Sequence, residues 1–245
     1  SNSCVITNEE GWYKKALDTD LARPKFAIMN PEITYTLPDY QTQCGCADIM
    51  MHTMERYFVL EDTMEITDKI AQDVMKNVMK YAKILKKDPE NYEARAEIMW
   101  CGSLSHNGLT GCGTCGGDWA THLMEHELGG MFDVAHGAGL AAVWGSWARY
   151  VMDEKPERFA QFAVDVMGVE ESDDVKSTAL KGIEAVEEFY RMIEMPTNMK
   201  ELGINPTDEQ IKDMAMKATN HDTQQLGAFK KLSAKDLVEI YKTAK

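Results

Sequence analysis

No stretch of this 245-residue chain approaches the roughly 18 unbroken apolar residues that a membrane span needs, and no positively charged, apolar leader opens it. Basic charge is also scarce: 26 Lys and Arg face 40 Asp and Glu, a formal net charge of -14. Such a surface repels phosphate backbones, so nucleic acid is excluded as a natural partner. The acid is spread along predicted helices rather than gathered in a tail, which reads as solvated helix faces. Internal repeats and low-complexity segments are missing as well. Cysteine is limited to Cys4, Cys44, Cys46, Cys101, Cys112 and Cys115. A chain of this size needs no disulfide staple, so these read as reduced thiols of a cytoplasmic protein. An initiator Met is lacking too, and the abrupt Ser1-Asn2 start reads as a cut, processed or designed N-terminus.

What is present is an ordinary globular composition, 44% hydrophobic and 27% charged. Residues 1–37 stand apart. Cys4-Val5-Ile6-Thr7 and Phe26-Ala27-Ile28-Met29 are short apolar runs, closed by Asn8 and by Asn30-Pro31, and read as two strands flanking a polar excursion. Two strands make a poor sheet by themselves, so their partners are expected elsewhere. From Pro38, which suits a first helical turn, the signal is helical. Helices are expected over 39–58, over 63–87 with Ile66, Ile70, Val74, Val78, Tyr81 and Leu85 at helical spacing, and again after Asp88-Pro89. A Gly/Cys-rich loop spans 111–117. Further helices fit 118–131, 136–153, 156–166, 173–193, 207–218 and 234–244. The fold class is mainly α, a helical bundle carrying a short β remnant.

Two groups of side chains carry chemistry. Asp48 and His52 are four residues apart in a predicted helix, which stacks them on one face with Cβ atoms about 6 Å apart. His122 and His126 share a helical face in the same way, and His136 opens the helix after the Gly129-Gly130 break. Each histidine taken singly is explained by an ordinary hydrogen bond. Together, imidazoles and a carboxylate suit Fe²⁺ or Zn²⁺ rather than Ca²⁺ or Mg²⁺. Three neutral imidazoles and one carboxylate leave a divalent ion at net +1, which favours an alkoxide as the next ligand. A rival motif overlaps this region. His122-Leu-Met-Glu125-His126 fits the H-x-x-E-H pattern of inverted zinc peptidases, with two histidine ligands and Glu125 as base.

Other features have quieter readings. Cys112-Gly-Thr-Cys115 has no second CxxC and no βαβ context, and reads as loop. Cys44 and Cys46 read as packing residues. Trp119 is either a wall of the substrate pocket or core. The methionines around the site, among them Met50, Met51, Met54, Met124 and Met131, suggest an apolar, adaptable interior. His106 and His221 receive no functional role.

Several segments resemble one family. Gly45-Cys-Ala-Asp48-Ile-Met-Met-His52-Thr-Met-Glu55 resembles the first metal segment of the iron-dependent alcohol dehydrogenases. Asp118-Trp-Ala-Thr-His122, with His126-Glu-Leu128 and Asp133-Val-Ala-His136-Gly137, resembles the second. Asn30 to Pro38 resembles the stretch joining the family's two domains, and Leu226 to Leu232 with Ile240-Tyr241 resembles the ending of its butanol-dehydrogenase-like branch. The resemblance implies a dehydroquinate synthase-like α domain over 38–245 that binds metal and substrate. Residues 1–37 would be the remnant of an α/β nucleotide-binding domain.

It also implies that Asp48, His52, His122 and His136 hold Fe²⁺, with Zn²⁺ as the alternative, and that His126 lies near the nicotinamide as a proton relay rather than a ligand. The implied reaction moves a hydride between NAD or NADP and a small primary alcohol or aldehyde, in a homodimer. The family's glycine-rich phosphate loop would lie before residue 1. The cofactor-binding residues are therefore unassigned, and the chain alone is expected to be inactive. Residues 1–37 are then expected to be mobile or paired with a second copy.

Overall fold

The computed structural model describes residues 2–61 and 65–245. Two strands, β1 (Ser3–Asn8) and β2 (Tyr13–Asp18), form an antiparallel hairpin with Ser3 opposite Asp18 and Asn8 opposite Tyr13. The helices follow: α1 (Asp39–Tyr57), α2 (Glu65–Leu85), α3 (Tyr92–His106), α4 (Ala120–Phe132), α5 (His136–Val151), α6 (Pro156–Asp165), α7 (Val175–Met192), α8 (Asp208–Ala218) and α9 (Ala234–Ala244). The mainly α architecture matches the sequence reading, and most helix ends fall within two residues of those expected. The predicted start of the second helix, Thr63-Met64, lies outside the described residues.

The strand reading of 26–29 is corrected. That segment forms no strand, and Phe26 and Ile28 are 80% and 85% exposed. The partner of β1 is Tyr13-Lys14-Lys15-Ala16-Leu17-Asp18, which was read as a polar excursion. A hairpin needs only a tight reversal, and Gly11 and Trp12 supply it with φ of 86° and 56°. Apolar patterning concealed β2 because its lysines are spent on buried carboxylates. Lys14 reaches Glu125 at 3.1 Å and Lys15 reaches Glu127 at 2.9 Å, which docks the hairpin on α4. Lys217 of α8 adds a bond to the Gly11 carbonyl at 3.0 Å. The hairpin at the front of the chain is thus docked on the chain's own helices α4 and α8.

One core runs through the bundle. Phe58 stacks on Phe159 with ring centroids 4.4 Å apart, and Phe162, Trp144, Trp147 and Phe229 close around them. Met50, Met51, Met54 and Met124 are fully buried, so the methionines do fill the core beneath the site. Arg158 of α6 clamps the α1–α2 junction. It donates to Asp68 at 2.5 and 2.7 Å and twice to the Tyr57 carbonyl, and it lies 3.6 Å from the centre of the Tyr57 ring. Helix starts use the expected chemistry, with Thr207–Gln210 and Ser233–Asp236 capping boxes opening α8 and α9. Tyr241 of α9 donates to the Met124 carbonyl at 2.7 Å and so ties the C-terminal helix to α4.

Candidate metal centre

Helix α4 carries most of the site and is bracketed by left-handed residues that are not glycine, Trp119 (φ 64°) before it and Asp133 (φ 52°) after it. Such conformations cost on the order of 1 kcal/mol each. Polar contacts with α1 hold the first. The Asp118 N–H donates to the Glu55 carbonyl at 2.8 Å, and the Trp119 N–H donates to Glu55 Oε2 at 2.7 Å. The Asp118 carboxylate in turn accepts from the backbone of Ala120, Ala228 and Phe229. These bonds place His122, one turn into α4, directly over Asp48 of α1.

The structure brings Asp48, His122 and His136 together, with one donor atom from each lying within 4.8 Å of the others. His122 Nε2 is 3.5 Å and His136 Nε2 is 3.7 Å from Asp48 Oδ1. His52 stands beside this trio. Its Nδ1 is 3.1 Å from Asp48 Oδ1, and its ring centroid is 4.5 Å from that of His122. Each imidazole has an acceptor at its Nδ1, and at His136 the Lys14 ammonium lies further off, at 3.5 Å. His52 Nδ1 donates to the Asp48 carbonyl at 2.9 Å, His122 Nδ1 donates to Glu55 at 3.1 Å, and His136 Nδ1 donates to Glu125. Tautomer follows from partner, so each ring, when neutral, keeps its lone pair on Nε2.

The donors fit a metal on a second ground. Asp48 Oδ1 and His122 Nε2 are both buried without a hydrogen-bond partner. Buried polar atoms are rarely left so, and a shared cation would satisfy both. Electrostatics agree. Burial pushes the Asp48 carboxyl up, but His122, His52 and His136 outweigh it and hold it well below the carboxylate range. Burial pulls His122 down, yet Asp48 and Glu55 overcome it and leave the ring at about 9.

His126 lies outside the trio with Asp48. Its ring centroid is 5.7 Å from that of His136, and it lines a cavity of about 670 Å³ together with Asp48, His52, His122 and His136. Burial, with His136 and Lys14 nearby, pushes it down to about 3, so it is neutral. Glu125, His126 and His136 also have donor atoms within 4.8 Å of one another. The Glu125 carboxylate is already engaged there by Lys14 and by His136 Nδ1, and its side chain is completely buried. It is not open to activate water, which removes the base that the peptidase reading required.

Four participants were not assigned from sequence. Glu55 belongs to the first metal segment without a role of its own in the sequence reading, although it stands one turn beyond His52 on the same helix. Glu125 appeared only as a peptidase base. Lys14 lay in a segment read as loop, and nothing in sequence spacing links it to position 125. His106 was set aside, yet its ring stacks edge-on against His52 at 4.2 Å. Cys112 and Cys115 are exposed in a loop that follows α3 rather than a strand, while Cys44 and Cys46 are buried.

Residues 42–245 match the Fe-containing alcohol dehydrogenase family, C-terminal. The chain belongs to that family. It is 34% identical over 239 residues to the NADH-dependent butanol dehydrogenase A of Clostridium acetobutylicum, covering 97% of this chain and 61% of the relative. It is 31% identical over 242 residues to the NADPH-dependent aldehyde reductase YqhD of Escherichia coli, covering 98% of this chain and 61% of the relative. The crystal structure of NADH-dependent butanol dehydrogenase A from Thermotoga maritima superposes with a TM-score of 0.92 at 34% identity, over 99% of this chain and 62% of that one. The chain thus spans about three fifths of the length of these relatives. They are dehydrogenases and reductases, and they give the peptidase reading no support. No helix among the described residues is long and apolar enough to cross a membrane.

Proposed function

We propose that this chain is the metal- and substrate-binding part of a nicotinamide-dependent alcohol dehydrogenase or aldehyde reductase acting on small primary alcohols and aldehydes. In this reading residues 38–245 form the metal domain and residues 1–37 belong to the cofactor domain. The observation that carries it is the convergence of Asp48 Oδ1 with the Nε2 atoms of His122 and His136, whose Nδ1 atoms are each backed by a carboxylate. The metal ligands are Asp48, His52, His122 and His136. His52 joins through Nε2, since its Nδ1 is committed to the Asp48 carbonyl. Fe²⁺ is the metal we favour, because imidazole and carboxylate donors suit it and the family is iron-containing. A divalent ion held by these residues would supply Lewis acidity to a substrate oxygen, and NADH or NADPH would supply the hydride.

The chain's own residues do the rest. Glu55 and Glu125 hold His122 and His136 in the ligating tautomer. Leu123 and Trp119 wall the cavity beside the ligands and shield the substrate carbon from water. His126 is a neutral imidazole on the cavity wall, and it passes the hydroxyl proton between substrate and solvent.

Two measurements test this. Co²⁺ or Fe²⁺ titration should show one site per chain, abolished by Asp48→Ala or His122→Ala. In a protein of the relatives' length, His126→Ala should keep the metal and lower NAD(P)H-dependent butanal reduction on the order of 10²-fold or more. Undiminished metal binding by His122→Ala would overturn the ligand assignment. Full turnover by His126→Ala would remove its role.

A further inference from the structure

Arg56 follows His52 by one turn of α1, and its side chain is buried to 8% exposure. Its Nη1 donates to two carbonyls, those of His52 at 3.0 Å and Ser105 at 2.9 Å. Its guanidinium carbon lies 4.6 Å from the centre of the Trp119 ring. Among the described residues no carboxylate comes within ion-pair distance of it, and Nε and Nη2 bond no described residue and are open to solvent. The neighbouring Glu55 carboxylate is turned away, into the backbone of α4 and the His122 ring.

Burial pulls the Arg56 guanidinium below its usual value, and the Glu55 carboxylate, acting from beyond ion-pair distance, offsets only part of that cost; a carboxylate arriving in the cavity would offset the rest. Arg56 lines the cavity that contains the metal ligands, and so does His106. His106 makes no hydrogen bond to a described residue, and its Nδ1 is buried without a partner. Room for the arginine is built in: a Cβ on Gly111 would stand 3.1 Å from Arg56 Cδ. The Trp119 ring bridges the two ends of the cavity, 4.6 Å from the guanidinium carbon and 5.3 Å from the His122 ring. A chain of a few carbons can therefore hold one oxygen at the metal ligands and present its far end to Arg56.

We propose that Arg56 and His106 form a carboxylate-accepting subsite, and that the substrate is a short aldehyde or alcohol carrying a carboxylate at the end remote from the reacting oxygen. The proposal rests on the reading of the site as a metal-centred dehydrogenase and narrows its substrate class. A planar carboxylate takes two parallel N–H bonds from one edge of a guanidinium, and a single negative charge balances the single cation. A neutral alkyl chain of equal length would leave that cation unpaired.

The test compares butyrate, butyramide and propyl phosphate binding to the 245-residue chain, read by calorimetry. We expect metal-free protein to bind butyrate at least about tenfold more tightly than butyramide. Arg56→Gln should remove that preference, His106→Leu should reduce it, and Arg56→Lys should keep part of it. Should Arg56→Gln fail to fold, the other two variants decide. Equal affinity for butyrate and butyramide would overturn the subsite. So would butyrate binding that appears only after metal is added, since the carboxylate would then be a metal ligand. Tighter binding of propyl phosphate than of butyrate would overturn the carboxylate assignment. Metal titration of the same samples separates the two readings: lost metal binding with an intact anion preference sinks only the dehydrogenase reading.

Discussion

Glu55 Oε1 accepts both the backbone N–H of His122 at 3.0 Å and its ring Nδ1 at 3.1 Å. One carboxylate from α1 therefore sets the position and the tautomer of His122, a proposed ligand on α4, while Asp48, two turns earlier on α1, faces the opposite nitrogen. Carboxylates behind metal-bound histidines commonly influence affinity by 10- to 100-fold. Glu55→Gln should weaken Co²⁺ or Zn²⁺ binding by about that factor while the helical circular dichroism is retained. Metal affinity equal to that of the parent would show that packing alone orients His122.

Metal binding should release protons. In the metal-free protein Asp48 and Glu55 push His122 up to about 9, so at neutral pH an incoming ion must displace a proton from it. Apparent affinity should rise roughly tenfold per pH unit until pH nears 9, then level off. Isothermal titration in buffers of different ionisation enthalpy counts the protons directly. Folding stability of the metal-free chain should show the converse trend. The folded value of about 9 lies above the usual histidine value of 6.5. The contribution of His122 is thus fully present below pH 6.5 and is lost as pH rises through 9. Replacing His122 with Asn should flatten that decline.

Two glycines should respond oppositely to alanine. A Cβ on Gly137 would collide with the backbone carbonyl of Cys44, where α5 crosses α1 immediately beside His136. Gly137→Ala should cost about 1–3 kcal/mol and displace His136, with a parallel loss of metal affinity. Gly45, exposed in mid-α1, has nothing within 4 Å of its would-be Cβ. Gly45→Ala should add about 0.5–1 kcal/mol by helix propensity alone. Thermal denaturation of both variants checks the pair, and equal responses would show that the α1–α5 contact is softer than its geometry.

Arg158→Met should be among the most damaging single changes away from the cavity. It withdraws the donors of both Asp68 bonds and both Tyr57 carbonyl bonds in a buried site. A loss of about 3–5 kcal/mol in urea unfolding is expected. Metal affinity measured below the unfolding transition should remain near that of the parent, because Arg158 touches no ligand.

The helical bundle was legible because amphipathic stripes and capping residues act over one or two turns. Thr207 with Gln210 and Ser233 with Asp236 announce α8 and α9 locally, and both helices begin where those boxes place them. The apolar stripe of α2 was readable as well, although Ile66, counted within it, is 64% exposed. The β2 strand was not legible. Its stabilising partners, Glu125 and Glu127, are more than a hundred residues away, and the lysines that meet them look like loop residues in isolation.

The site divides in the same way. The sequence alone determined the Asp48–His52 pair and the order of His122, His126 and His136, because an i,i+4 spacing on a helix dictates a shared face whatever surrounds it. Only the tertiary structure decided which carboxylate backs which imidazole, that Lys14 reaches Glu125, and that Arg56 and His106 open onto the ligand cavity. These contacts join residues that no local rule connects. They exist because α1, α3, α4 and the hairpin pack against one another, and because buried charges must find partners once packing has removed them from water.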